Sequence, residues 1–399
     1  MSYKNILMAV EPDFHTSHVG VLRVIRYHFK DLVTRGHSVT LATHKEGKWV
    51  TCSLLDAARA MLGNARPSGS QKPYWENGQQ ERDEVSDLVS HPAWTIDWDK
   101  EVVSPEQFDE SVLTNPWLCS VSGKSISDSP FSTGIVYDMI PNLIALGVLR
   151  MPQFIDIYKF ANDHHIGYNY FLRNVKTISC ISENTRQDFT QLYSINPGQK
   201  IEVCIPFADF GTEEWSHNDP AARDVLMINV LDHRKNFLTV AKSLKEASTT
   251  IKLNVVIVGR ERLPRDEVVK FLSEISQVCA SVRWYRSPSD VQLQELMSKA
   301  KVVFFPSFYE GLGLPILEAQ ARGVPVISSN NSSCGEINMN SVLTAGPYEH
   351  KEFSKKLVAV LNNDLPIMVG SELRDAQISY LNGRNKLFMP AEKIIASEI

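Results

Sequence analysis

Hydrophobic and polar positions along this chain fall into two regular stretches separated by an irregular one. The first stretch opens with the apolar run KNILMAV. A segment from about His18 to Arg35 follows at helical spacing, stops at Gly36 and gives way to HSVTLAT. Two apolar runs joined by an amphipathic segment predict a strand–helix–strand unit. On a 3.6-residue wheel Val21, Leu22, Ile25, Phe29, Leu32 and Val33 share one side, and Arg23, Arg26 and Lys30 the other. Two readings of that basic face stand: a solvated surface over a buried sheet, or a contact with an acidic membrane surface that would make the protein peripheral.

From roughly Met61 to Pro130 the pattern turns polar and irregular. Trp49, Trp75, Trp94, Trp98 and Trp117 lie in or just before this region. They could form a surface on which sugar rings stack, or anchor a loop-rich insertion to the core. Regular patterning resumes with strands at GIVYDMIP (134–141), NVKTISCIS (174–182) and KIEVCIP (200–206), with a helix beginning at ENTRQDF. The turn-forming run ADFGTEEWSHNDPAARD reads as an interdomain linker. Beyond it, strands at 225–230, 253–259, 281–285, 301–307 and 324–328 alternate with helical segments, the pattern of a parallel sheet covered by helices. The fold class is therefore α/β, with two Rossmann-like domains. The first spans 1–207 and carries the Trp-rich insertion at about 61–130; the second spans 208–375.

Composition narrows the function. The 399 residues suit two to three domains. With 41 Lys plus Arg against 46 Asp plus Glu, the net charge of −5 offers no global pull on nucleic acid. No apolar run reaches the roughly 20 residues of a membrane-spanning helix, and the first residues do not read as a secretory signal, so a cytoplasmic protein is expected. Six scattered cysteines give neither a zinc pattern nor a disulfide framework. The glycosylation patterns at Asn330 and Asn331 are then chance matches. No GxGxxG follows a strand, which disfavours a dinucleotide oxidoreductase.

The chemistry concentrates in KVVFFPSFYEGLGLPILEAQARGVPVIS (301–328). A strand ends at Ser307, Glu310 falls on the loop, and Gly311, Leu312, Gly313 and Leu314 lead into a helix with Pro315 at its first position and Gly323 at its stop. Glycines before a helix let backbone N–H groups approach an anion, so the loop can cradle a diphosphate. Glu318 lies one turn further on. Carboxylates avoid phosphate and accept hydrogen bonds from hydroxyls, so two glutamates flanking the cradle suggest a sugar joined to phosphate. An ordinary strand–helix turn with surface glutamates is the other reading.

The stretch FFPSFYEGLGLPILEAQARGVPVISSNNSS resembles the E-x7-E segment of family 4 retaining glycosyltransferases. Arg234-Lys235-Asn236, after VLMINV, resembles that family's diphosphate-binding element. Further resemblances are SDVQLQELMSKAKVVFFPS, TISCISENTRQDF, VYDMIP and VGVLRVIRYHFKDLVTRGHSV, the last placing Gly20 near the donor phosphates. The chain departs from the family pattern at Tyr137, at Asn229 and at Pro206-Phe207-Ala208.

The resemblance implies the GT-B fold, two Rossmann-like domains facing each other across a cleft, with a C-terminal helical segment (376–399) packing back on the first. It implies metal-independent transfer of a sugar, with retention, from a nucleotide-sugar donor to a glycan or lipid-linked glycan acceptor in surface-polysaccharide assembly. GDP-mannose is the expected donor, ahead of UDP- or dTDP-sugars. Arg234 and Lys235 would stabilise the departing diphosphate, and Glu310 would support the donor sugar. Glu318 would hold the ribose, and Ser287 and Asp290 the base. Asp138, Tyr137 and His164 would face the acceptor side. A phosphorylase, an isomerase or a non-catalytic binding protein on the same fold are the competing classes.

Overall fold

A computed structural model describes residues 3–17, 19–62, 73–77, 79–80, 95–118, 130–150, 157–206 and 224–384. The linker, most of the insertion with Trp94, Phe207-Ala208 and the segment after 384 lie outside these residues. The chain divides into two compact units. One holds Met1–Gly63, Trp94–Asp209 and Leu381–Ile399, the other Asn64–Ala93 and Phe210–Tyr380.

The first unit is built on one sheet. Its strands in chain order are β1 (Asn5–Ala9), β2 (Ser38–Lys45) and β3 (Lys48–Thr51), then, after a hairpin β4 (Trp75–Glu76) and β5 (Gln79–Gln80) that belongs to the other sheet, β6 (Val102–Val103), β7 (Glu110–Leu113), β8 (Phe131–Val136), β9 (Val175–Cys180) and β10 (Lys200–Val203). They lie in the order β10-β9-β8-β7-β1-β2-β3-β6, parallel except where β3 turns back on β2 and β6 on β3. Ile6, Leu7, Met8 and Ala9 are buried on both faces of β1, as a continuous apolar run in a covered parallel sheet should be.

The helix after β1 runs Val19–Thr34 and buries Leu22, Val24, Ile25, His28, Phe29 and Leu32. Val33, expected on the buried side, is 47% exposed. On the basic face Arg23, Arg26 and Lys30 are all partly buried, and Arg26 donates through Nε (2.9 Å) and Nη2 (2.7 Å) to the Ala60 carbonyl of helix Leu54–Leu62.

His28 makes this helix acid-sensitive. Burial lowers its imidazole to about 4, with the Asp31 charge acting in the opposite direction. The folded state thus holds His28 neutral at a pH where the unfolded chain takes up a proton. Stability present above the ordinary value of about 6.5 should fall by about 3 kcal/mol as pH drops to 4. Urea unfolding of His28→Leu should show a shallower loss over that window than the parent; an identical slope would remove His28 as the cause.

Trp98 and Trp117 anchor the insertion to the core, and Trp49 packs in the core just before it. Trp98 donates through Nε1 to Pro12 O (3.0 Å), Trp49 meets Phe131 edge-on, and Trp117 stacks on His164. All three are buried. The insertion is also divided between units, since β4 pairs antiparallel with an edge strand of the second sheet, Trp75 opposite Trp284.

That sheet comprises β11 (Asp224–Ile228), β12 (Asn254–Val258), β13 (Ser281–Tyr285), β14 (Ala300–Phe305), β15 (Val326–Ser329) and β16 (Thr344–Ala345). Its order is β16-β15-β14-β11-β12-β13-β4-β5, all parallel from β16 to β13. Helices Phe237–Ala247, Arg265–Ser276 and His350–Asn362 cover it, with Phe237, Phe271, Phe304 and Phe353 at the centre of the core. Among the described residues no helix is long and apolar enough to cross a membrane.

Candidate active site

From β11 the chain of the second unit first builds outward to β12 and β13, then returns to lay β14, β15 and β16 on the other side. Strand order therefore reverses between β11 and β14. Open α/β sheets bind ligands beyond the carboxyl ends of their strands at such a reversal. Arg234 and Lys235 follow β11, and Glu310 follows β14.

Asp232 starts a single tight turn, His233–Lys235, by accepting a hydrogen bond from Arg234 N (2.9 Å). The turn ends at Asn236, whose φ of +63° lies in the left-handed region that asparagine tolerates better than most residues. Its side chain donates to the carbonyls of Pro306 (2.9 Å) and Pro347 (2.5 Å). Of the Arg-Lys-Asn element, then, the asparagine fixes the backbone while the two cations point at chemistry. Asn229 is likewise a backbone device: its φ is +56°, and Gly259 packs so close that a Cβ there would meet Asn229 Oδ1 at 2.1 Å.

The cations converge on Glu310. Arg234 Nη1 donates to Oε2 and Lys235 Nζ to Oε1, both at 2.5 Å, and Arg234 Nη1 also reaches Tyr309 O at 3.3 Å. Lys235 is buried over the Phe305 ring, its Nζ 4.4 Å from the centroid. Burial by itself would raise the Glu310 carboxyl, but Arg234 and Lys235 overcome it and bring it to about 2. Burial and the neighbouring guanidinium lower the Lys235 ammonium, Glu310 opposing them. Glu310 thus faces two cations at hydrogen-bond distance, with the Asp232 charge acting more weakly on Lys235.

The Glu310 loop is held by a run of small polar residues that motif reading missed. Ser329 Oγ donates to Ser307 O (2.7 Å), Asn331 Nδ2 to Phe308 O (2.6 Å) and Ser333 Oγ to Glu310 O (2.9 Å), while Glu310 N donates to Ser332 Oγ (3.2 Å). Phe308 N donates to Arg234 O (2.9 Å), joining the two motif segments through the backbone. Ser-Ser-Asn-Asn-Ser-Ser (328–333), running out of the end of β15, was the available signal. Gly313, at φ +84°, precedes the helix Leu314–Gln320, in which Pro315 takes the second position rather than the first. Glu318 is buried in that helix. Ser287 accepts from Arg260 Nε (2.8 Å), and Asp290 opens helix Asp290–Ser298.

The remaining predicted residues belong to the first unit. Gly20 lies in the first turn of its helix, exposed, with nothing within 4 Å of where a Cβ would stand, so the unit's own packing does not demand glycine there. Asp138 Oδ1 accepts from Ile140 N (2.9 Å) at the start of helix Ile140–Ala145. Tyr137 and His164 are buried, His164 within an aromatic stack with Trp117. His165 bonds Tyr193 Oη through Nδ1 (2.9 Å). Among the described residues no group of three His, Cys, Asp or Glu side chains could hold a metal ion.

Residues 212–381 match the family described as Glycosyl transferases group 1. This part of the chain resembles the family 4 glycosyltransferases of GT-B fold, and about half of the chain resembles bacterial O-antigen mannosyltransferases. It is 33% identical over 211 residues to O-antigen chain mannosyltransferase B of Escherichia coli, a match covering 48% of this chain and 53% of that protein. It is 30% identical over 216 residues to a serotype-specific mannosyltransferase WbdA of the same species, covering 49% and 26%. The chain thus spans about half of the first relative's length and about a quarter of the second's. Anabaena HepE, solved with UDP-glucose, superposes with a TM-score of 0.58 at 14% identity over 96% of each chain. Sucrose-phosphate synthase from Thermosynechococcus elongatus does so at 0.57 and 12%, over 96% and 95%. These likenesses show the GT-B fold of two Rossmann-like domains.

Proposed function

We propose that this chain is a retaining hexosyltransferase that moves mannose from GDP-mannose to a hydroxyl of a glycan or lipid-linked glycan, forming an α-linkage in surface-polysaccharide synthesis. The observation that carries the reading is the Arg234–Lys235–Glu310 cluster, two cations and one carboxylate, at a strand-order reversal. A leaving nucleoside diphosphate develops negative charge as the glycosidic bond breaks, and fixed cations in a dry site stabilise it without reorganising. Arg234 and Lys235 fill that role; because they supply the charge, no metal is needed. Glu310 holds both cations in place, and its remaining lone pairs can accept hydroxyl hydrogen bonds from the donor sugar. Gly311, Leu312, Gly313 and Leu314 offer backbone contacts, and Glu318 the ribose contact. Ser287 and Asp290 are assigned to the base. The named mannosyltransferase relatives support mannose as the sugar.

Thermal-shift measurements with GDP, UDP, dTDP and GDP-mannose test the donor. A ligand at 100 times its dissociation constant stabilises by about 2.7 kcal/mol, which should raise the melting temperature by roughly 5–10 °C for a unit this size. GDP and GDP-mannose should give that shift. A larger response to UDP or dTDP would overturn the donor, and a GDP response without hydrolysis or transfer of GDP-mannose would overturn catalysis.

A further inference from the structure

The irregular insertion places the hairpin of β4 and β5 on the sheet of the second unit. There β4 runs antiparallel beside β13, Trp75 opposite Trp284 and Glu76 opposite Arg283. Asn77, at φ +45°, fastens the pair: its N–H donates to Val282 O (3.1 Å) and its Oδ1 accepts from Val282 N (2.9 Å). Because the pairing is antiparallel, stepping back from Trp75 to Tyr74 leads towards the carboxyl end of β13. Tyr74 N donates to Trp284 O at 2.7 Å.

The Tyr74 ring meets Trp284 edge-on, centroids 4.9 Å apart, and the Arg286 guanidinium lies over it, 5.3 Å from the centroid. That distance is within reach of a cation–π contact. Arg286 in turn donates through Nε (2.9 Å) and Nη2 (2.7 Å) to the two carboxylate oxygens of Glu261, in the loop after β12. Arg260 Nε, from the same loop, donates to Ser287 Oγ (2.8 Å), and Trp284 Nε1 to Gly259 O (2.8 Å). Side chains thus stitch together the loops at the carboxyl ends of β12 and β13, and Tyr74 joins them from the insertion.

Ser287 and Asp290, assigned to the donor's base, belong to the second of these loops. Binding groups hold a productive geometry only when the residues behind them are locked by packing and hydrogen bonds. We propose that Tyr74 is a positioning residue for nucleotide recognition: through Arg286 it holds the loops after β12 and β13 in the arrangement that receives the base of a nucleoside diphosphate. The inference rests on the hexosyltransferase reading and gives the insertion a part in donor binding. The diphosphate is held separately, by the Arg234 turn, whose bonds to Asp232, Pro306 and Pro347 do not involve the hairpin.

Isothermal titration of the full chain, well below its melting temperature, with GDP, UDP, dTDP and inorganic pyrophosphate tests this. The parent should bind one of the three nucleotides more tightly than pyrophosphate. Tyr74→Ala should weaken that nucleotide by about fivefold or more, the scale of a lost cation–π contact, and leave pyrophosphate binding unchanged. Tyr74→Phe keeps the ring face and should bind the nucleotide as the parent does. Asn77→Gly keeps the left-handed backbone but loses the bond to Val282 N. It should weaken the nucleotide in the same selective way, and it carries the test if Tyr74→Ala fails to fold. Parent-like nucleotide affinity in a folded Tyr74→Ala, or equal losses for nucleotide and pyrophosphate, overturns the positioning role and leaves the donor reading standing. So does a Tyr74→Phe protein as weak as the alanine variant. A parent that binds none of the three nucleotides more tightly than pyrophosphate overturns the donor reading and this inference with it.

Discussion

Replacing Lys235 by methionine should lower sugar transfer by two to three orders of magnitude with a melting temperature within a few degrees of the parent. Methionine keeps most of the side-chain volume over Phe305, and Arg234 still neutralises Glu310, so no buried charge is stranded. What disappears is one fixed cation at the leaving group, and removing a single preorganised contact to transition-state charge costs about 3–4 kcal/mol. Glu310→Ala should behave differently. It leaves the Arg234 and Lys235 charges together with no carboxylate between them. Breaking a buried pair in this way costs about 3–5 kcal/mol. Transfer should fall at least as far as in Lys235→Met, with the melting temperature down by roughly 10 °C. Because GDP supplies the missing negative charge, it should stabilise Glu310→Ala more than it stabilises the parent. Transfer within threefold of the parent in Lys235→Met would remove the cation from the mechanism; a smaller GDP response in Glu310→Ala would refute the charge argument.

Gly167→Ala should be the most damaging single-methyl change in the first unit. Gly167 lies in helix Ile157–Asn174, where a Cβ would stand 2.1 Å from the Pro116 carbonyl oxygen and 2.5 Å from its carbon. Both are backbone atoms between Asn115 and Trp117, so no side chain can swing aside. Relief requires the helix to withdraw from the loop after β7, at a cost of about 3 kcal/mol or more. The first thermal transition should drop by roughly 6–12 °C. Calorimetry within 2 °C of the parent would show that the helix and loop separate freely.

The legible parts of the molecule were those whose signal is local. Apolar runs marked β1, β11, β12, β14 and β15, and Gly36 and Gly323 marked helix ends. Arg234, Lys235 and Glu310 stood out because each follows an unmistakable strand. The central strand β7 (Glu110–Leu113) was hidden, being four residues inside a polar stretch. The hairpin of β4 and β5 was hidden for another reason: it joins β13 across a chain separation of about 200 residues, with Val282 N donating to Asn77 Oδ1. That Arg26 also bonds the Ala60 carbonyl was hidden, because a helical wheel records direction but not what stands there.

Sequence alone determined the α/β class, two sheets, the strand ends on which chemistry would sit, an adjacent pair of cations, and a carboxylate eight positions before a second one. Those follow from periodicity and from residue types adjacent in the chain. The tertiary structure decided the rest: the strand order that places reversals beside β11 and β14 and beside β1 and β7, the capture of Glu310 by both cations, and the burial of Tyr137 and His164. Each depends on which distant segments pair and on what water each side chain loses, quantities set by the packed chain as a whole and not by any stretch of it.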